Sequence, residues 1–279
     1  MTENASDTFD IGGELTVHRL GFGAMRLCGP DIIGPPEDEG EARAVLQDAV
    51  ELGVDLVDTA DSYGPGVSER LVREAVDTSE VTVATKAGLL RNRDGDWLAH
   101  GDPDYIRNQA LVSRDRLGVD SIDLYQFHRP DPDTPFEDSV ETFAELKDTG
   151  LVDHVGLSNV SVEQLETARE VVEVATVQNR YHPADRDSAD VLAACEEHDI
   201  GFIPWFPLGA GDLGEKADVL ADVAEAHDAT PQQVTLAWHF QHSPVTLPIP
   251  GTSSREHLKE NVAATQLSLT DVEIARIGE

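Results

Sequence analysis

Cysteine is nearly absent from this 279-residue chain, with only Cys28 and Cys195 present. Two cysteines are too few for a disulfide framework, and their separation has no metal-ligand spacing. Two reduced thiols, in the core or near the surface, are expected, and no metal site. Lysine is almost as scarce: Lys86, Lys147, Lys216 and Lys259 are the four. Lys and Arg together number 20 against 54 Asp and Glu, a formal net charge of −34 with a pI near 4.3. Such a surface repels nucleic acid and anionic membranes, both of which need basic patches, so neither is expected as a partner. No apolar run approaches the roughly 20 residues of a membrane span. The opening "MTENASDTFD" lacks a basic segment leading into an apolar one, so no signal peptide is expected and the protein is placed in the cytoplasm.

The acids are dispersed, as in "EDEGEAR" and "DVLADVAEAHD", rather than gathered in a tail. Dispersed acid with so little lysine suggests a halophilic origin, where molar salt screens self-repulsion that otherwise destabilises the compact state.

Hydrophobic residues make up 40% of the chain, ample for a large core. Apolar runs of strand length alternate with helical patterns, and no low-complexity linker divides them. "TFDIGGELTVHRLGFGAM" reads as a hairpin turned at Gly12-Gly13, feeding a strand near Arg19–Met25. Further strands are expected at Leu56–Ala60, Val81–Ala87, Ile122–His128, His154–Ser158, Ala175–Asn179, Gly201–Phe206 and Thr246–Ile249. Helices are expected at Asp38–Leu52, Pro103–Leu117, Pro135–Lys147, Val162–Val172, Ala189–His198, Lys216–His227, Pro231–Gln241 and Ser254–Ala264. Ser161 and Thr230-Pro231 are good helix-opening residues. The pattern predicts an α/β fold: a single (β/α)8 TIM barrel spanning residues 1–279, with an N-terminal β-hairpin and extra helices near the C-terminus. A doubly wound sheet is the rival, but "GFGAMRLCGP" does not run directly into a helix as its phosphate turn would.

In a barrel, chemistry gathers where strands end. Alternation places Leu56, Asp58 and Ala60 on one face; Thr82, Ala84 and Lys86 on another; Leu124, Gln126 and His128 on a third. Three consecutive strands therefore end in an ionisable group, and Tyr63 follows the first in a Ser-Tyr-Gly turn. Asp61 reads as a turn or surface acid. Asp58, Tyr63, Lys86 and His128 fit one mechanism. A Lys86 ammonium held by a buried Asp58 favours the phenolate and eases proton loss from Tyr63, which protonates a carbonyl oxygen that a neutral His128 orients.

The motifs "GVDLVDTADSYG", "ATKAG" and "DLYQFH" resemble those of the aldo-keto reductases, and the likeness runs from the hairpin to the last helices. It implies that Asp58, Tyr63, Lys86 and His128 are the catalytic tetrad. "RLGFGAMRLCGPDIIGPPED", "PWFPLG" and "PIPGTSSREHLKENVAATQLSL" look most like the bacterial pyridoxal reductase-like subgroup. Read alone, Ser158, Asn159 and Gln178 are polar residues closing strands; the resemblance makes them the nicotinamide carboxamide site. It also implies Trp205 stacked on the ring and Leu208 beside it. Gly251, Thr252 and Ser254 offer donors at a helix N-terminus, an anion site, and Glu260 and Asn261 match an adenine-binding pair. NADP(H) is favoured, with NAD(H) possible because Gly251 and His257 stand where many NADPH-specific members carry cations; Arg255 or Lys259 could substitute.

The resemblance implies reduction of a small aldehyde or ketone, pyridoxal or sugar-derived, selected by loops Met25–Pro36, Leu90–Asp102 with Trp97, and Gly209–Gly214. The short segment after Asn261 suits small or polar carbonyls. A polyol or sugar dehydrogenase running in reverse, and a non-catalytic regulatory protein on the same fold, are the alternatives. No partner protein is implied.

Overall fold

The computed structural model describes residues 8–211 and 213–279. The start of the N-terminal stretch expected to lack a signal peptide lies outside these residues, as does Asp212 of the Gly209–Gly214 loop.

The strands are β1 (Thr8–Ile11), β2 (Leu15–His18), β3 (Phe22–Gly23), β4 (Leu56–Asp58), β5 (Thr82–Ala87), β6 (Leu89–Arg91), β7 (Trp97–Ala99), β8 (Ile122–Phe127), β9 (Val152–Ser158), β10 (Val174–Gln178) and β11 (Gly201–Phe202). The α-helices are α1 (Glu39–Glu51), α2 (Val67–Ala75), α3 (Pro103–Leu117), α4 (Phe136–Asp148), α5 (Val162–Arg169), α6 (Ala189–Glu197), α7 (Ala217–Ala226), α8 (Pro231–His242), α9 (Arg255–Ala263) and α10 (Asp271–Gly278).

Strands β3, β4, β5, β8, β9, β10 and β11 form one parallel sheet in that spatial order. Both of its edges bond to the same extended segment. Phe202 N–H donates to Val245 O and Leu247 N–H to Phe202 O, each at 2.8 Å; Gly21 N–H donates to Pro248 O at 3.0 Å and Gly23 N–H to Pro250 O at 3.4 Å. The sheet thus curls back on itself. The expected strand at Thr246–Ile249 is this segment, which makes a single bridge, Phe202 with Thr246, rather than a ladder. Prolines 248 and 250 explain that, since neither has an N–H to donate.

The expected hairpin is present: β1 and β2 pair antiparallel around Gly12 (φ 60°) and Gly13 (φ 73°). Its Ile11 and Val17 pack in one apolar cluster with Leu56, Ala84 and Leu124, from the adjacent strands β4, β5 and β8, and with Ala175 of β10, Ile203 and Leu247. Each fully buried side chain of this kind contributes about 1.5–3 kcal/mol. A larger core lies between the sheet and helices α3 to α8, around Tyr125, Phe127, Phe143 and Trp238.

Several expectations needed correction. The strand expected at Gly201–Phe206 keeps only Gly201–Phe202, beyond which Trp205 makes an isolated bridge to Arg180. The strand expected at Arg19–Met25 shrinks to Phe22–Gly23, because 24–27 winds into a 3-10 turn. The Leu90–Asp102 loop contains the β6–β7 hairpin, with Leu89 opposite Ala99 and Arg91 opposite Trp97. Helices α2 and α10 were not anticipated, although Thr270 and Glu273 form a capping box that announces α10. Ser161 and Thr230 do cap α5 and α8 as expected, each within a capping box.

Candidate active site

β4, β5 and β8 lie side by side in the sheet, so side chains at their last turns point into one space. Lys86, on the final pleat of β5, is fully buried, with Asp58 2%, Tyr63 6% and His128 8% exposed. The Lys86 ammonium lies 2.6 Å from Asp58 Oδ2 and also donates to Thr59 O at 2.7 Å. Asp58 Oδ1 accepts from Gln178 Nε2 at 2.8 Å and Gln126 Nε2 at 3.1 Å. Both carboxylate oxygens are therefore satisfied, which a buried charge requires. Gly156 makes room for this arrangement: a Cβ there would stand 2.4 Å from Thr176 Oγ1 and 2.7 Å from Gln126 Cγ.

Lys86 Nζ sits 5.2 Å from the centre of the Tyr63 ring. The Tyr63 and His128 rings meet edge to face at 5.8 Å, and Trp97 of the β6–β7 hairpin meets Tyr63 edge to face at 6.2 Å. Ser62 Oγ lies 3.5 Å from His128 Nδ1. The four residues that strand alternation singled out are thus brought together.

Their electrostatics depart from expectation at one point. Burial pushes the Tyr63 hydroxyl well above its ordinary value, and Asp58 pushes further, so Lys86 does not produce a phenolate near neutral pH. Burial also pulls the Lys86 ammonium down while the ion pair to Asp58 opposes it. His128 is held well below its usual value by burial, with Lys86 and Arg129 adding to the effect; its imidazole is neutral at pH 7.

Asp61 is a second correction. It does lie in the turn after β4, but it is buried, 4% exposed, rather than at the surface. Tyr105 Oη of α3 donates to its Oδ2 at 2.7 Å, Oδ1 has no partner among the described residues, and burial carries its pKa up to about 7.

A cavity of about 650 Å³ opens over this group. Ser158, Asn159, Gln178, Trp205, Leu208, Gly251 and Thr252 line it, as do Tyr63, Asp58 and His128; Lys86 stands behind the wall. Asn159 Nδ2 donates to His128 O and to Ser158 Oγ at 3.0 Å each, the Ser158 hydroxyl donates to Gln178 O at 2.8 Å, and the Trp205 indole N–H donates to Asn159 Oδ1 at 3.2 Å. One amide network therefore joins three strand ends to the indole.

Ser254, Glu260 and Asn261 are not part of the cavity wall. The Ser254 hydroxyl caps α9 by accepting from His257 N–H, and its own N–H donates to Thr252 Oγ1 at 3.0 Å. The Glu260 carbonyl accepts from Gln233, and Asn261 is buried. The half-exposed Arg255 guanidinium binds both oxygens of Asp48, at 2.5 and 2.7 Å, and is not part of the cavity wall. The wall instead includes Arg26, Arg129 and Ser253, which sequence reasoning did not single out. A Cβ on Gly251 would stand 2.7 Å from Gly23 O and 3.6 Å from Arg26 Cγ, so the Gly23–Gly251 approach brings Arg26 beside the Gly251 loop. No group of three or more metal-ligating side chains occurs among the described residues, and no helix among them is long and apolar enough to cross a membrane.

A model described as the Aldo/keto reductase family matches residues 19–279. A pyridoxine 4-dehydrogenase from Escherichia coli strain K12 is 41% identical over 275 residues, covering 96% of each chain. An "uncharacterized oxidoreductase" from Schizosaccharomyces pombe is 42% identical over 268 residues, covering 96% of this chain and 88% of its own. Among solved structures, an aldo-keto reductase from Klebsiella pneumoniae in complex with NADPH is 26% identical, with a TM-score of 0.82, covering 97% of this chain and 93% of that one.

Proposed function

This chain belongs to the aldo/keto reductase family, and from that premise we propose that it reduces a small aldehyde or ketone with NADPH, using Tyr63 as the proton donor in a single-domain (β/α)8 barrel. The observation that carries this reading is the meeting of Tyr63, His128 and the Asp58–Lys86 ion pair beneath one cavity.

The cavity suits a nicotinamide dinucleotide. Its inner end offers the Ser158–Asn159–Gln178 amide network beside the flat Trp205 indole; its other end offers Gly251, Thr252, Ser253 and the Arg26 guanidinium. When bound, the reduced nicotinamide supplies the hydride. The Trp205 indole would wall the ring, the amides would hold its carboxamide, and Arg26, which lines the cavity as Arg255 does not, would take the cationic place beside the phosphates.

The raised Tyr63 pKa supports a donor that is a full phenol at neutral pH. As the carbonyl oxygen gains charge it becomes an alkoxide, a stronger base than a phenolate, and the proton passes to it without prior ionisation. Lys86 stabilises the phenolate left behind, and Asp58 keeps that ammonium in place. Neutral His128 donates to the same carbonyl oxygen without competing as an acid.

Alcohol oxidation is a second reading, favoured by the relative named pyridoxine 4-dehydrogenase. It requires the Tyr63 phenolate, which burial disfavours at neutral pH. Pyridoxal and sugar-derived aldehydes are the proposed substrates, and the acidic chain is proposed to work best in concentrated salt. Absorbance of the reduced nicotinamide, followed with NADPH and NADH against pyridoxal and short aldehydes, tests the reading. Faster turnover with NADPH supports it; no turnover with any pair contradicts it.

A further inference from the structure

With 54 carboxylates to 20 cations, almost every arginine in this protein has found a partner. Arg43 and Arg70 bind Glu39 and Glu74, Arg107 binds Glu145, Arg116 binds Glu69, Arg255 binds Asp48 and Arg276 binds Asp222. Arg19, Arg73 and Arg91 bind backbone carbonyls. Among the described residues, three of the sixteen arginines have neither a side-chain hydrogen bond nor an ion pair: Arg26, Arg114 and Arg129. Arg114 lies on α3, away from the cavity, whereas Arg26 and Arg129 both line it.

The rest of the cavity wall sharpens the contrast. Asp58 is the single carboxylate among the described lining residues, and Lys86 already neutralises it. In a chain of net charge −34, this cavity is therefore a positively charged spot. A low-dielectric concavity with such a wall focuses its field on an entering anion.

Dinucleotide phosphates account for Arg26, which stands by Gly251. They do not account for Arg129. Arg129 lines the cavity and its charge lies close enough to act on the His128 imidazole, whose ring faces Tyr63 at 5.8 Å, so it belongs to the end of the cavity where the carbonyl is reduced. Trp97 and Leu89 line the wall there as well, and both are apolar.

Building on the reduction proposed above, we infer that Arg129 is a specificity-determining residue and that the preferred carbonyl substrate carries an anionic group, of which a carboxylate is the simplest form. A guanidinium matches two carboxylate oxygens with parallel N–H donors, a fit that a lysine point charge reproduces only in part.

The test compares carboxybenzaldehydes with methylbenzaldehydes of matching substitution, in the wild type, Arg129→Gln and Arg129→Lys. The wild type is expected to favour the carboxylate-bearing aldehydes in kcat/KM by about tenfold or more. In Arg129→Gln that preference should fall about tenfold, mainly through KM, and Arg129→Lys should recover part of it. The dissociation constant of 4-(hydroxymethyl)benzoate, followed by tryptophan fluorescence with NADPH present, should rise in parallel. A wild-type preference for the neutral aldehydes overturns the inference without any variant. An unchanged preference in Arg129→Gln overturns it equally. If the wild type turns over neither class, the reduction reading itself fails, and the dissociation constants alone then decide whether Arg129 binds the anion.

Discussion

Lys86 Nζ lies 2.6 Å from Asp58 Oδ2 and 5.2 Å from the centre of the Tyr63 ring, with the lysine entirely buried. The pair has no water to fall back on. Removing one partner leaves the other charge uncompensated, which costs about 3–5 kcal/mol at buried pairs. Asp58 retains hydrogen bonds from Gln126 and Gln178, so Lys86→Met should sit toward the lower end of that range. Thermal unfolding and kcat at saturating NADPH should both fall. The double variant Asp58→Asn, Lys86→Met should regain much of the stability and none of the activity. Recovery of activity as well would show that the pair is merely structural.

The raised Tyr63 pKa sets the pH dependence of the two directions apart. In the proposed mechanism reduction uses the phenol, which burial keeps protonated throughout the neutral range, and burial holds the His128 imidazole well below its usual value. Carbonyl reduction should hold nearly level between about pH 6 and 9. Alcohol oxidation uses the phenolate and should rise about tenfold per pH unit across the same window. A bell-shaped reduction profile centred near neutrality would contradict the assignment.

Asp61 predicts a stability effect with a definite sign. Its folded pKa, about 7, lies above the ordinary value of 3.8. Between those two values the unfolded chain has released the proton while the folded protein keeps it, so this group's contribution to stability falls as pH rises from about 4 to 7. The difference of roughly three pKa units corresponds to about 4 kcal/mol at most. Chemical denaturation of the wild type and Asp61→Asn across that range checks it: the variant should lose this part of the slope. Parallel curves would show that Asp61 does not titrate there.

With −34 charges to screen, the folded protein should gain stability on going from dilute buffer to molar KCl. Equal denaturation midpoints in both would remove the argument for a salt-adapted surface.

The meeting of the strand-end side chains was legible because alternation is local. Asp58, Lys86 and His128 each sit at the end of a short apolar run, and parallel neighbours then bring such ends together. The β6–β7 hairpin also had a local signal, since its turn contains Asp94-Gly95 between two short arms. Asp61 was not legible: its burial depends on Tyr105, 44 positions later in the chain, covering it. The arginines were harder still. Arg255 resembles a phosphate ligand until Asp48 is seen to hold it, and Arg26 and Arg129 stand out only because they lack a side-chain partner and line the cavity. Helix α9 shows the same limit, for the Ser254 hydroxyl expected at the anion site is spent on capping.

The most direct measurement is the turnover of Tyr63→Phe beside its affinity for NADPH. The substitution removes one hydroxyl from a buried ring and leaves its contacts with Trp97 and His128 in place. NADPH should bind as tightly as to the wild type while carbonyl reduction falls by about two to four orders of magnitude. Turnover near the wild-type rate, with NADPH binding intact, would show that the proton comes from elsewhere and that Tyr63 is not the donor.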